Sequence, residues 1–284
     1  MPELPEVEIL VRHLAPLLKG KTIRGVEVRH ARVLRPTQPA QLSHALNGAV
    51  FVNLIRRAKY LMFALRRADG KGTFLLAGHL GMTGRMFLQP AGAPLPRHTA
   101  VALDLGRQRF IFEDTRRFGR FTLDLSAQRG LGPEPLGKEF TVEYFAAALK
   151  RSSQGIKIKL LDQSLLAGVG NIYACEALFA ARVSPRLAAR KLTRDQVRRL
   201  WRSIRQVLVK AVEFGGTVSL DWTGRTNDGG VFYYGNAGSP PDFYEERLQV
   251  YDRQGRPCRV CKAPVKRIVQ AARSTFYCPR CQRN

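Results

Sequence analysis

The sequence predicts an α+β multidomain protein: an N-terminal helix with a β-sandwich, then a helical domain, then a small cysteine-rich appendage. Three observations carry this prediction. Apolar residues recur at helical spacing at the N-terminus and again beyond residue 140. Seven short strand-like runs fill residues 22–125. Four cysteines close the chain in two C-x-x-C pairs. With 284 residues the chain exceeds one average domain, and 45% hydrophobic residues suffice for a proper core. The division expected is 1–128 for the helix and sandwich, 129–140 for a linker, 141–250 for the helical domain and 251–284 for the appendage.

Each element has a local reason. After Pro5, the residues Val7, Leu10, Val11, Leu14, Leu17 and Leu18 mark one helix face. Pro5 suits a first turn and Gly20 a stop, while Pro16 should bend or shorten the helix. The runs TIRGVEVRH, AVFVNLIRRAKYLMFAL, GTFLLAGHL, GRMFLQP, TAVALDLG, QRFIFEDT and GRFTLDL are rich in Val, Phe, Leu and Ile and separated by turn residues. RGLGPEPLGKEF, at 129–140, is dense in Gly and Pro and reads as the linker. Thr193 and Gln196 form a capping box ahead of an apolar face running from Val197 to Val212, with Gly215 and Gly216 as its end. The opposite face carries Arg194, Arg198, Arg199, Arg202 and Arg205, which solvation explains as well as contact with a polyanion does. Residues 217–247 read as a long polar and aromatic loop.

The charge balance narrows the function. Forty-seven Lys and Arg against 22 Asp and Glu give +25. A chain this basic repels itself unless a polyanion is near, so nucleic acid is the expected partner; a solvated basic surface is the bland alternative. The start MPELPEVEIL carries acids where a signal peptide needs positive charge, and no run is long enough to span a bilayer. A cytosolic protein with no membrane partner is expected, and there disulfides are rare.

That compartment directs the reading of the cysteines. Cys258-x2-Cys261-x16-Cys278-x2-Cys281 has the spacing of a closed four-thiolate zinc site, so one structural Zn²⁺ is expected. Two disulfides are the alternative. From Arg253 to Asn284 there are nine Lys and Arg and no acids, which makes the finger a phosphate-binding module. Cys175, alone in a helical stretch, reads as buried and inert.

Removal of Met1 would leave Pro2 with a free secondary amine, a nucleophile toward aldehydes. Its adduct is an iminium ion that cannot lose its charge by deprotonation at nitrogen. At C1′ of a deoxyribose such an ion acidifies the C2′ protons and drives loss of the 3′ phosphate. Glu3, next in the chain, can act as general acid or base. Taken alone, Pro-Glu is a weak signal, and a frayed inert terminus is its better explanation.

The stretches PELPEVE at 2–8, RRAKY at 56–60, HLGM at 79–82, DTRRFG at 114–119, LGPEPL at 131–136, GVGNIYA at 168–174, LQVYDRQGRPC at 248–258 and RSTFYCPRCQ at 273–282 occur in this order. Together they resemble the formamidopyrimidine-DNA glycosylases, sisters of the endonuclease VIII group, over essentially the whole chain. The resemblance implies a helix–two-turn–helix domain after the sandwich and a C-terminal zinc finger. It implies a bifunctional glycosylase and abasic-site lyase that removes oxidised purines from damaged double-stranded DNA, as a monomer and with no nucleotide cofactor.

The resemblance also implies roles for matching residues. Pro2 is the nucleophile, Glu3 the acid that opens the sugar, and Glu6 a supporting group. Lys59 contacts DNA and assists base release. Arg273 is counted with the catalytic set as a phosphate clamp beside Asn171. Met82, Arg116 and Phe118 fill the gap left by a flipped base, a job that suits a flexible, a cationic and an aromatic side chain. His79, Lys157, Tyr251 and Arg267 are further DNA contacts, and 217–247 caps the lesion. That loop is longer and more aromatic than the family pattern, and Thr115 stands where proline is frequent. Two other readings stay open: the same chemistry on oxidised pyrimidines, and a non-catalytic binder of damaged DNA.

Overall fold

A computed structural model describes residues 2–214 and 247–283, in two compact units. The first holds Pro2 with Glu6–Arg129; the second holds Glu3–Pro5, residues 130–214 and residues 247–283. The long loop expected at 217–247 and the two glycines before it lie outside the described residues, except Arg247.

Helix α1 spans Leu4–Leu18. Pro16 falls in its last turn, where the ring displaces only the hydrogen bond to the carbonyl of Arg12, so the helix continues. In the first unit, strands β1 (Gly25–Val28), β2 (Val50–Arg57), β3 (Tyr60–Arg66), β4 (Thr73–His79), β5 (Gly84–Pro90), β6 (Thr99–Asp104), β7 (Gln108–Asp114) and β8 (Arg120–Thr122) form two antiparallel sheets. Their orders are β1-β6-β7-β5 and β2-β3-β4-β8. The facing sheets meet in aromatic contact, with Phe110 of β7 lying 5.7 Å from Phe63 of β3 and 6.0 Å from Phe121 of β8. Val7, Leu10, Val11, Leu14 and Leu18 of α1 pack into the same core.

The strand-like segment of the sequence also contains helix. A 3-10 turn at Ala31–Leu34 and helix α2 at Pro39–Leu46 lie between β1 and β2. Pro39 opens α2, and Gln38 and Gln41 cap it reciprocally. Only Leu42 and Leu46 of α2 are buried, too few to produce a readable helical period.

After the short α3 (Ser126–Arg129), the second unit contains α4 (Val142–Lys150), α5 (Ile156–Leu160), α6 (Asn171–Ala180) and α7 (Arg194–Glu213). Thr193 and Gln196 make the capping box that opens α7. In α6 every residue from Tyr173 to Phe179 is buried, so this helix shows no polar face. The chain closes with the hairpin β9 (Lys266–Gln270) and β10 (Arg273–Tyr277). Ala271 and Ala272 both take positive φ, 48° and 57°, as a two-residue hairpin turn requires.

Candidate active site and nucleic-acid interface

In the first unit Pro2 is buried, Glu6 is 5% exposed and Lys59 is 8% exposed. Lys59 sits with Ala58 (φ 53°) in the two-residue turn between β2 and β3, so the hairpin fixes where its stem leaves the sheet. Tyr60 and His79 are direct partners across β3 and β4, with ring centroids 4.7 Å apart. His79 Nδ1 accepts the Gly81 N–H at 3.0 Å, which leaves the proton on Nε2. Burial, then the charges of Lys59 and Arg120, push this imidazole down to about 4. It is therefore neutral at physiological pH.

Met82 and Phe118 are 45% and 46% exposed, although both are large and apolar. They stand on neighbouring turns: Met82 just before β5, Phe118 just after β7. The turns touch, because a Cβ on Gly81 (φ 62°) would lie 2.7 Å from Gly119 N and 2.8 Å from Phe118 C. The Arg116 guanidinium covers the Phe118 ring at 4.8 Å. Three of the predicted residues thus form one exposed group.

The second unit gathers another set around the start of α6. The buried Glu3 carboxylate accepts the N–H groups of Gly170 (2.8 Å), Ile172 (2.9 Å) and Tyr173 (3.4 Å). It satisfies donors that a helix N-terminus leaves open and favours the dipole. A Cβ at Gly170 would collide with this carboxylate, so glycine is required there. Asn171 Nδ2 donates to Ser274 O at 2.9 Å, tying the first residue of α6 to β10. Arg273 is exposed at the start of that strand, and Arg267 across the hairpin donates to Ser274 Oγ at 2.9 Å. The Tyr251 ring packs edge-on to Phe276, 5.1 Å between centroids.

Lys157, expected among the DNA contacts, lies in the interior. It is fully buried, and its Nζ has no hydrogen-bond partner among the described residues. Burial lowers its pKa. The helical pattern of IKIKL could not reveal this, because lysine reads as solvent-facing by default.

The sequence reading also missed the groups that hold the site. Glu176, fully buried in α6, accepts from the backbone N–H groups of Gln249, Val250 and Tyr251 at 2.8, 2.9 and 2.9 Å. Burial nevertheless raises its pKa. Gln163 receives the Gly168 N–H and donates to Val169 O, shaping the GVGN turn. A carboxylate inside an apolar helix is the one signal that could have pointed to Glu176.

The Sγ atoms of Cys258, Cys261, Cys278 and Cys281 all lie within 4.8 Å of one another, with Cys258–Cys281 at 3.9 Å and Cys261–Cys278 at 3.4 Å. Tetrahedral Zn–S bonds of about 2.3 Å put sulfurs about 3.8 Å apart, so the donor set fits Zn²⁺. Cys175 is not one of the four donors, and burial pushes its thiol up to about 12. It is an inert core residue.

These features define a class: a basic α+β protein with a four-thiolate cysteine module, exposed apolar turns and a helix N-terminus capped by a buried carboxylate. The family comparisons make it particular. The formamidopyrimidine-DNA glycosylase N-terminal domain matches residues 1–121, the H2TH domain of the same enzymes matches 131–221, and the zinc finger found in FPG and IleRS matches 255–284. The formamidopyrimidine-DNA glycosylase of Symbiobacterium thermophilum is 43% identical over 99% of this chain and 89% of its own length. A Lactococcus lactis FPG mutant solved with a Fapy-dG containing DNA superposes with TM-score 0.87 at 32% identity, covering all of both chains. A MutM solved with carbocyclic 8-oxo-G containing DNA superposes with TM-score 0.86 at 33% identity, again over both whole chains. The chain belongs to the formamidopyrimidine-DNA glycosylase family. It is a DNA-repair glycosylase with abasic-site lyase activity, and its four cysteines form the donor set of one structural zinc.

Proposed function

We propose that this enzyme removes oxidised purines, 8-oxoguanine and formamidopyrimidines, from duplex DNA through a covalent intermediate on Pro2, and then cleaves the strand by β,δ-elimination. The Pro2 nitrogen attacks C1′, the C1′–N bond to the base breaks, and Glu3 delivers a proton to the sugar ring oxygen as the ring opens. The resulting iminium accepts electrons when a C2′ proton leaves, and the 3′ C–O bond breaks to release phosphate; loss of a C4′ proton then breaks the 5′ C–O bond and releases the second phosphate. Hydrolysis of the iminium returns the amine.

The observation that carries this reading is the Glu3 carboxylate, pinned by three backbone N–H groups one residue after Pro2. Such pinning fixes the orientation of the carboxylate before substrate arrives. The Fapy-dG and 8-oxo-G in the DNA of the two solved relatives support the choice of lesion. In the same reading Lys59 assists base release and Glu6 supports the site. Asn171, Arg273, Arg267, Tyr251 and His79 hold the DNA backbone, while Met82, Arg116 and Phe118 fill the emptied stack. Lys157 belongs to the same set of DNA contacts. The functional division follows 1–128, 129–140, 141–250 and 251–284, and the bacterial relatives point to work on DNA in the cytosol.

The test is borohydride trapping on an abasic duplex, run beside strand cleavage by protein with a blocked N-terminus. A blocked Pro2 is an amide whose nitrogen lone pair is delocalised. The expected result is a covalent adduct with free protein and neither adduct nor cleavage with blocked protein. Full cleavage by blocked protein would place the nucleophile elsewhere. A panel of duplexes with single defined lesions checks the substrate, and preference for oxidised pyrimidines would overturn that part.

A further inference from the structure

The exposed turns that carry Met82, Arg116 and Phe118 are joined by hydrogen bonds that the proposed chemistry does not use. Asp114 ends β7 opposite Gly84, the first residue of β5, so the two turns leave the sheet side by side. The Asp114 side chain is 1% exposed. Its Oδ1 accepts the Thr83 hydroxyl at 2.6 Å and the Arg116 N–H at 3.2 Å. Its Oδ2 accepts the Gly119 N–H at 2.8 Å. Thr83 Oγ1 in turn accepts the Arg116 N–H at 3.3 Å. One carboxylate therefore holds the residue after Met82 and both sides of the segment that displays Arg116 and Phe118.

We propose that Asp114 and Thr83 are positioning residues that lock these two turns into one preassembled wedge, so that filling the gap in the DNA stack requires no ordering of the protein. The inference rests on the reading of Met82, Arg116 and Phe118 as gap-filling residues. Its physical basis is the cost of ordering. A loop that must be fixed at the moment of insertion loses backbone freedom, and that loss adds to the unstacking a flipped base already requires. Here the loss is taken on folding. Arg117 at φ 56° lies inside the clamped segment, a left-handed conformation held by bonds on both sides. Three donors in distinct directions, on a carboxylate with almost no exposure, also leave Asp114 no room to serve the DNA itself.

The experiment compares Thr83→Val, Thr83→Ser and Asp114→Asn with the unaltered enzyme and with Met82→Ala. Thr83 is exposed, so valine removes the hydroxyl without opening the core. Single-turnover base removal is measured on an 8-oxoguanine duplex, and strand cleavage on an abasic duplex, where extrusion is cheaper. Thr83→Val is expected to slow base removal roughly tenfold, the effect of one lost hydrogen bond, and abasic cleavage less than about threefold. Thr83→Ser should restore both, and DNA affinity should stay unchanged. A 2-aminopurine placed opposite the lesion should report slower gap filling in Thr83→Val and Asp114→Asn. Equal rates for Thr83→Val and unaltered enzyme on the lesion duplex would overturn the clamp. So would equal slowing on both substrates that serine does not rescue. If Met82→Ala also removed the base at the unaltered rate, the gap-filling reading would fail instead, and the clamp with it. Absence of lesion removal by the unaltered enzyme would strike the functional reading.

Discussion

The β-sandwich and the zinc finger solve the same problem by opposite means. The sandwich buries Phe51, Phe63, Phe110, Phe112 and Phe121 with aliphatic side chains from both sheets, and apolar area removed from water stabilises it. The finger has little to bury. Its apolar cluster is Val250, Val265 and Phe276 beside Cys258 and Cys278, completed by Cys175 and Phe179 of α6. A core this small does not offset the entropy of ordering its chain, so the metal must supply the difference. The difference teaches that one end of this protein is specified by apolar volume and the other by ligand geometry.

Zinc removal should have the largest effect, and on the finger alone. Cys258→Ser, or chelation, is expected to abolish DNA binding while the sandwich keeps its cooperative melting and sheet spectrum. Metal analysis should give one zinc per chain before treatment. Loss of both transitions together would show that the sandwich depends on the metal as well.

A comparable blow aimed at the sandwich is Phe63→Ala. Its ring meets Phe51, Phe110 and Phe121 at 6.0, 5.7 and 5.8 Å. The substitution should cost about 3–5 kcal/mol in urea unfolding, as large aromatic truncations do, with zinc content unaffected. A cost under about 1 kcal/mol would mean that the sheets repack freely.

Arg273→Ala sharpens the functional side of the finger. The guanidinium is exposed at the start of β10 and makes no contribution to the cluster beneath it. Removing one phosphate contact should lower the slope of log affinity against log salt by roughly one, equally on damaged and undamaged duplexes. A change confined to lesion preference would contradict a backbone contact.

The smallest effect concerns pH. His79 in the folded sandwich titrates at about 4, below its ordinary 6.5, because of burial and then Lys59 and Arg120. A depressed histidine pKa means the unfolded chain binds the proton more readily. The stability it contributes is therefore complete above 6.5 and is lost as pH falls from 6.5 through 4. His79→Asn keeps an acceptor for Gly81 N–H and should flatten the fall in melting temperature over that window. An identical slope in both proteins would show that His79 is solvated.

Much of the fold was legible in local pattern. Alternating and continuous apolar runs marked the strands, Thr193 and Gln196 marked the start of α7, and the C-x-x-C pairs marked the metal site. Helix α2 was not legible, because eight residues with two buried leucines carry no period. Pro16 misled in a small way, since a proline in a last turn forfeits only one hydrogen bond. At the site, the residue types of Pro2, Glu3, Lys59, Met82 and Arg273 were visible as motifs. Their supports were not. An Asp at a strand end and a Glu in a helix look like solvated charges until the donors around them are known.

By itself the sequence determined the periodicities, the caps, the thiolate spacing and the excess of positive charge, because each depends on residues close in the chain or on a simple sum. The tertiary structure alone decided which carboxylates would be enclosed and by whom. Glu3 finds the amides of residues 170, 172 and 173, and Glu176 finds those of 249–251. It also decided that Lys157 would be buried and that Met82 and Phe118 would stand exposed. Burial and hydrogen-bond partnership across such separations are properties of packing, which no local pattern encodes.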